Sequence, residues 1–230
     1  MFNGKMKAVT FSYDDGITQD RNLIDIFNRY GLKATFNINS ELLGTNGALI
    51  RNDFTISHVK PRPCEIKRIY AGHELAVHTL THPTLVNVPE EEIVRQIMQD
   101  KENLQNIFGE EVVGMAYPGG QPNCDDRVFE IVKRRTDMKY ARTTICSGNF
   151  DLQDDLIAFK PTVYHLDWDK MFDLAEKFIE LKPDEPKLFY IWGHSYEFDY
   201  ENTWSRFEEF CKLISGHDDI FYGTNKEVLL

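Results

Sequence analysis

Short hydrophobic runs alternate with amphipathic stretches from one end of the chain to the other. Strand-like runs cover residues 7–13, 33–39, 74–79, 112–117, 140–144, 159–164, 187–192 and 219–222. Between most of them, apolar residues recur at three- and four-residue spacing, the pattern of a helix with one buried face. Over residues 22–30, Leu23, Ile26, Phe27 and Tyr30 share a face, and Gly31 is a natural C-terminal cap. The clearest helix opens at Pro89 and runs to Phe108, with Ile93, Ile97, Leu104, Ile107 and Phe108 as its buried stripe and Gly109 as its stop. Residues 126–135, 170–181 and 205–215 predict three more. The segment 40–63 is too long for a plain connection and predicts a small hairpin near residues 53–59, on the rim of any site.

Repeated βα units imply parallel strands covered by helices. About eight strands in 230 residues predict an α/β chain forming a single distorted (β/α) barrel of about seven to eight parallel strands. One domain over residues 1–230 is the expected organisation. In such a barrel the strand C-termini collect at one mouth, where chemistry sits. Asp14-Asp15, the His78/His82 pair, Pro118-Gly119-Gly120, Asp167-Trp168 and His194 all follow different predicted strands.

Composition narrows the classes. A net charge of −11 argues against nucleic acid or an anionic membrane as partner, since both select basic surfaces. No run approaches the ~20 apolar residues of a membrane span, and no obligate protein partner is evident. The first residues lack the apolar core of a signal peptide, so a cytoplasmic location is expected, or a secreted one if a leader has been removed. Cys64, Cys124, Cys146 and Cys211 are widely spaced and read as reduced and inert.

The chemistry rests on two clusters, Tyr13-Asp14-Asp15-Gly16 and His78-Thr79-Leu80-Thr81-His82-Pro83. One carboxylate with two imidazoles four residues apart makes a facial set for a divalent metal, with a second carboxylate left over as general base. Zinc is the default for these donors; cobalt, nickel, manganese or iron also fit. The Pro118-Gly119-Gly120 turn offers backbone N–H groups for an oxyanion, and His194 could protonate a leaving group. Tyr117 and Trp192 sit at strand ends, where an aromatic face can stack on a sugar or cap the core. Tyr196 and Trp204 fall on a predicted mouth loop. His58, His73, His165 and His217 read as structural.

These motifs resemble those of the NodB-type polysaccharide deacetylases, carbohydrate esterase family 4, in the family's order from Thr10 to about His194. The resemblance implies Asp14 as base, Asp15, His78 and His82 as metal ligands, and His194, in Tyr190-Ile191-Trp192-Gly193-His194, as catalytic acid. It implies Gly119 as oxyanion donor, Asp167 as the residue orienting the catalytic histidine, and Trp168 as a wall of the substrate groove. Glu197 or Asp199 could orient His194 instead. Where the family's third motif reads Arg-Pro-Pro-Tyr-Gly, this chain has Ala116-Tyr117-Pro118-Gly119-Gly120. The arginine that pairs with the base is therefore absent from its usual place, which should leave Asp14 more basic. The implied activity is metal-dependent removal of acetyl groups from carbohydrate, N-acetylated amino sugars above all. Rival readings are O-deacetylation of acetylated xylan, hydrolysis of a non-carbohydrate amide, and sugar binding without turnover.

Overall fold

Every residue of Lys7–Asp15 (β1) is buried, because this strand has sheet neighbours on both edges and covered faces. The computed structural model describes residues 2–51 and 54–230. Helix Asp20–Arg29 (α1) leads to Ala34–Ile38 (β2), which pairs in parallel with the C-terminal half of β1. After β2 comes an antiparallel hairpin, Ala48–Arg51 (β3) and Phe54–Ser57 (β4), then Pro63–Ile69 (α2), Glu74–Val77 (β5), and the long helix Glu90–Phe108 (α3). Gly114–Ala116 (β6), Asp126–Arg135 (α4), Tyr140–Arg142 (β7), Val163–Tyr164 (β8) and Trp168–Glu180 (α5) follow. The chain then runs through Lys187–Gly193 (β9), Glu197–Glu201 (α6), Trp204–Ile214 (α7), Ile220–Tyr222 (β10) and Asn225–Leu229 (α8).

The sheet runs β7-β6-β5-β2-β1-β9-β8, with every pairing parallel. A parallel bridge between Arg142 and Phe159, four residues before β8, joins the two ends of this path. The curled sheet is the distorted (β/α) barrel expected. Its irregularity sits at β1, where β10 pairs with Lys7–Val9 and β2 with Phe11–Asp15. Gly114 is required here, since a Cβ would lie 1.8 Å from the Tyr140 ring.

Predicted strands and helices fall close to observed ones, with informative differences. The run 159–164 is only a two-residue strand, because Pro161 has no N–H for the ladder; before it, Phe159 makes only an isolated bridge to Arg142. The hairpin lies earlier than expected, at β3–β4, with Asp53 outside the described residues. Ile56 alone of β4 is buried, packing with Ile17 and Tyr196. That contact fastens the hairpin to the mouth of the barrel. Among the described residues, no helix is long and apolar enough to cross a membrane.

Candidate active site

A cavity of about 650 Å³ opens at the C-terminal ends of the strands, lined by Asp14, Asp15, His78, His82, Gly119, Trp192 and His194 among others. Asp15 ends β1 with φ +81°, and Thr79 and His82, in the loop after β5, have φ of +67° and +60°. Such backbone is costly for residues with a Cβ and persists only where the surroundings fix it. Here Asn39 donates to the carbonyls of His78 (2.6 Å) and Thr79 (3.0 Å), while Gln96 of α3 accepts from Leu80 and Thr81 N–H. Asp100, also on α3, accepts from the N–H of Ser40 and of His78.

Donor atoms of Asp15, His78 and His82 lie within 4.8 Å of one another. His78 Nδ1 is 2.9 Å from the Ala116 carbonyl oxygen, which can only accept, so Nδ1 carries the proton and Nε2 keeps its lone pair. Burial lowers the pKa of both imidazoles, that of His78 to about 4. Two neutral nitrogens and one carboxylate oxygen facing a common point suit a divalent cation.

Asp14 is buried beside Asp15 and held by Arg142, whose NH2 lies 2.5 Å from each carboxylate oxygen. Asn37 donates to Oδ1 at 2.8 Å. Burial pushes the Asp14 pKa up, but Arg142 together with His78 and His194 outweighs it, and the group sits below the ordinary carboxylate value. The expectation of a more basic Asp14 is therefore wrong. Ala116 and Arg142 are register partners on β6 and β7, so the guanidinium is supplied at the same level from one strand over. It also stacks 4.5 Å from the Trp192 ring.

In the same cavity, His194 Nδ1 is 3.0 Å from Glu197 Oε2. The same oxygen accepts from Tyr164 at 2.5 Å and His165 Nε2 at 2.9 Å, and Tyr13 donates to His165 Nδ1 at 3.2 Å. Gly193 makes this possible, because a Cβ there would lie 2.4 Å from the His165 ring. Burial alone would lower the His194 pKa, yet Glu197 first, and then Asp15 and Asp14, raise it to about 9. The imidazolium is therefore present at neutral pH.

A family model for polysaccharide deacetylases matches residues 3–140, more than half of the chain. The chain belongs to the polysaccharide deacetylase family. Solved structures resemble it in fold. The Xyl-CE4 domain of a multidomain xylanase from the hindgut metagenome of Trinervitermes trinervoides is 18% identical with a TM-score of 0.60, covering 96% of this chain and 89% of its own. The polysaccharide deacetylase Bc1974 from Bacillus cereus is 18% identical at a TM-score of 0.58, over 95% and 91%. BC0361, a polysaccharide deacetylase from Bacillus cereus, gives 22% and 0.53, covering 66% of this chain; the chain spans only 45% of that protein's length.

Against the deacetylase pattern, Asp14, Asp15, His78, His82, Gly119, Trp192, His194 and Tyr196 share one cavity. Asp167 and Trp168 do not. They start α5, and Trp168 packs on Phe198 beneath the Arg206 guanidinium. The place expected for Asp167 beside the histidine is taken by Glu197. Tyr117 reaches the cavity wall, but its ring is buried against Phe129 and its hydroxyl donates to Ile157 O, which leaves no face for a sugar. His58 and His165 are not remote: one touches Asp15 and the other Glu197. Arg142, His58 and Lys60 escape a linear reading because no motif spacing connects them to Asp14 or Asp15.

Proposed function

We propose that this deacetylase is a metal-dependent hydrolase removing N-acetyl groups from an amino-sugar oligo- or polysaccharide of chitin or peptidoglycan type, with residues 1–230 as its catalytic domain. The observation carrying the reading is that ionised Asp14, protonated His194 and the Asp15–His78–His82 set line one cavity. Zinc is the preferred cation for these donors. When bound, the cation would polarise the acetyl carbonyl and bring the pKa of water to about 7.

Asp14, kept ionised by Arg142, accepts the proton of the attacking water. The Gly119 N–H, in a turn with φ +86°, offers a donor to the negative charge that develops on the acetyl oxygen as water adds to the carbon. His194 delivers its proton to the departing nitrogen, and Glu197 holds the ring for that transfer. Trp192 and Tyr196 line the cavity and give the sugar apolar surface. A protonated acid favours the amide over an ester, since an amine leaves poorly unless protonated.

Acetate release from N-acetylglucosamine oligomers, peptidoglycan fragments and acetylated xylan, with and without chelator, tests the reading. Release from the amino sugars that needs metal and disappears in His194→Ala is expected. Release from xylan alone, or by the metal-free protein, would overturn it.

A further inference from the structure

The segment leaving β4 carries His58 and Lys60, two residues apart, and both reach Asp15. Lys60 Nζ donates to the Asp15 carbonyl and, at 3.1 Å, to Asn39 Oδ1. His58 Nε2 lies 3.2 Å from Oδ2 of the Asp15 carboxylate. The other oxygen, Oδ1, is the one that faces His78 Nε2 at 3.9 Å and His82 Nε2 at 3.6 Å. The carboxylate is thus divided between two tasks. Because it can only accept, His58 Nε2 must carry the hydrogen.

The segment is stitched into place before it meets Asp15. Its backbone accepts from Thr18 N–H at Val59 and from Gln19 Nε2 at Ser57, and it donates from His58 to Gly47 and from Lys60 to Thr45, all within 2.9 Å. The His58 ring also stands edge-on to Tyr196 at 5.4 Å. Thr18 and Gln19 lie in the loop that follows Asp15 itself, so donor and acceptor are held in one frame.

We propose that His58 is a positioning residue for the cation: it engages Oδ2 of Asp15, so that Oδ1 alone turns to the metal. One-oxygen ligation leaves coordination positions for water and for the acetyl oxygen, and a fixed carboxylate binds more tightly than a rotating one. The inference rests on the cation set of the proposed function, but not on which acetyl compound is the substrate.

Calorimetric titration of zinc into metal-free protein tests it without reference to turnover. His58→Ala is expected to weaken binding by about 10- to 100-fold, the usual effect of losing a partner of a metal ligand. His58→Phe keeps the ring against Tyr196 without a donor and should weaken it equally; His58→Gln restores an N–H and should recover most of the affinity. Cobalt-loaded wild type and His58→Ala should share the same visible band shape. Unchanged zinc affinity in Ala and Phe would overturn the proposal, as would an altered cobalt band, which would make His58 a ligand. A Phe variant that binds like wild type while Ala does not would reduce His58 to packing. Wild type that binds no divalent cation would instead sink the underlying site, whatever acetate release shows.

Discussion

Replacing Glu197 by Gln removes the charge that supports His194 while keeping the side chain's shape. The step from the ordinary imidazole value of 6.5 to about 9 corresponds to about 3 kcal/mol of preference for the protonated ring. Burial acts in the other direction, while Asp15 and Asp14 still favour the charged ring, so without the Glu197 carboxylate the histidine should titrate well below 9, toward 6.5. At pH 8 the protonated fraction then falls from about 90% toward about 3%, a loss in protonated His194 of up to roughly 30-fold. The assay is the pH profile of acetate release, in which the basic limb should move down from about 9 toward 6.5, with activity returning at lower pH. Stability gives an independent reading. The folded value lies above the unfolded one, so His194 contributes stability that is complete below pH 6.5 and lost as pH rises through about 9. The decline in melting temperature across that window should flatten in the variant. A basic limb that stays near pH 9 in Glu197→Gln would refute the reasoning.

Arg142→Ala should raise the Asp14 pKa and move the acid limb of the same profile upward; losing one partner of a buried pair should also cost about 3–5 kcal/mol on chemical unfolding. Dialysis against a chelator should abolish acetate release, and added zinc or cobalt should restore it, measured as turnover against metal content. Asp167→Ala should leave kcat/KM within about twofold, whereas Trp168→Ala should lower the melting temperature through about 3 kcal/mol of lost packing. Gly193→Ala should weaken both fold and acid, because the new methyl would displace the His165 ring that touches Glu197; a normal basic limb would count against that link.

The barrel was legible because its evidence is periodic: buried parallel strands need continuous apolar runs, and their covering helices need apolar stripes. The pairs Asp14-Asp15 and His78/His82 were legible because each is local, set by spacing along one turn or one strand end. The third-motif arginine was not. The sequence shows Ala116 and an apparent loss, while parallel pairing of β6 with β7 sets Arg142 beside Ala116 at the same level. The role expected of Asp167 falls instead to Glu197, the alternative the sequence offered: it begins α6 three residues after His194, and its carboxylate reaches His194, His165 and Tyr164.

By itself, then, the sequence determined the architecture, the family, and the residues that could face a cation, since each depends on short-range pattern. Only the tertiary structure decided which charges meet. Arg142 reaches Asp14 across 128 residues of chain, and His58 reaches Asp15 across 43. Side chains so far apart along the chain become neighbours only when sheet register and hairpin packing place them, and it is such a neighbour, Arg142, that helps keep Asp14 ionised.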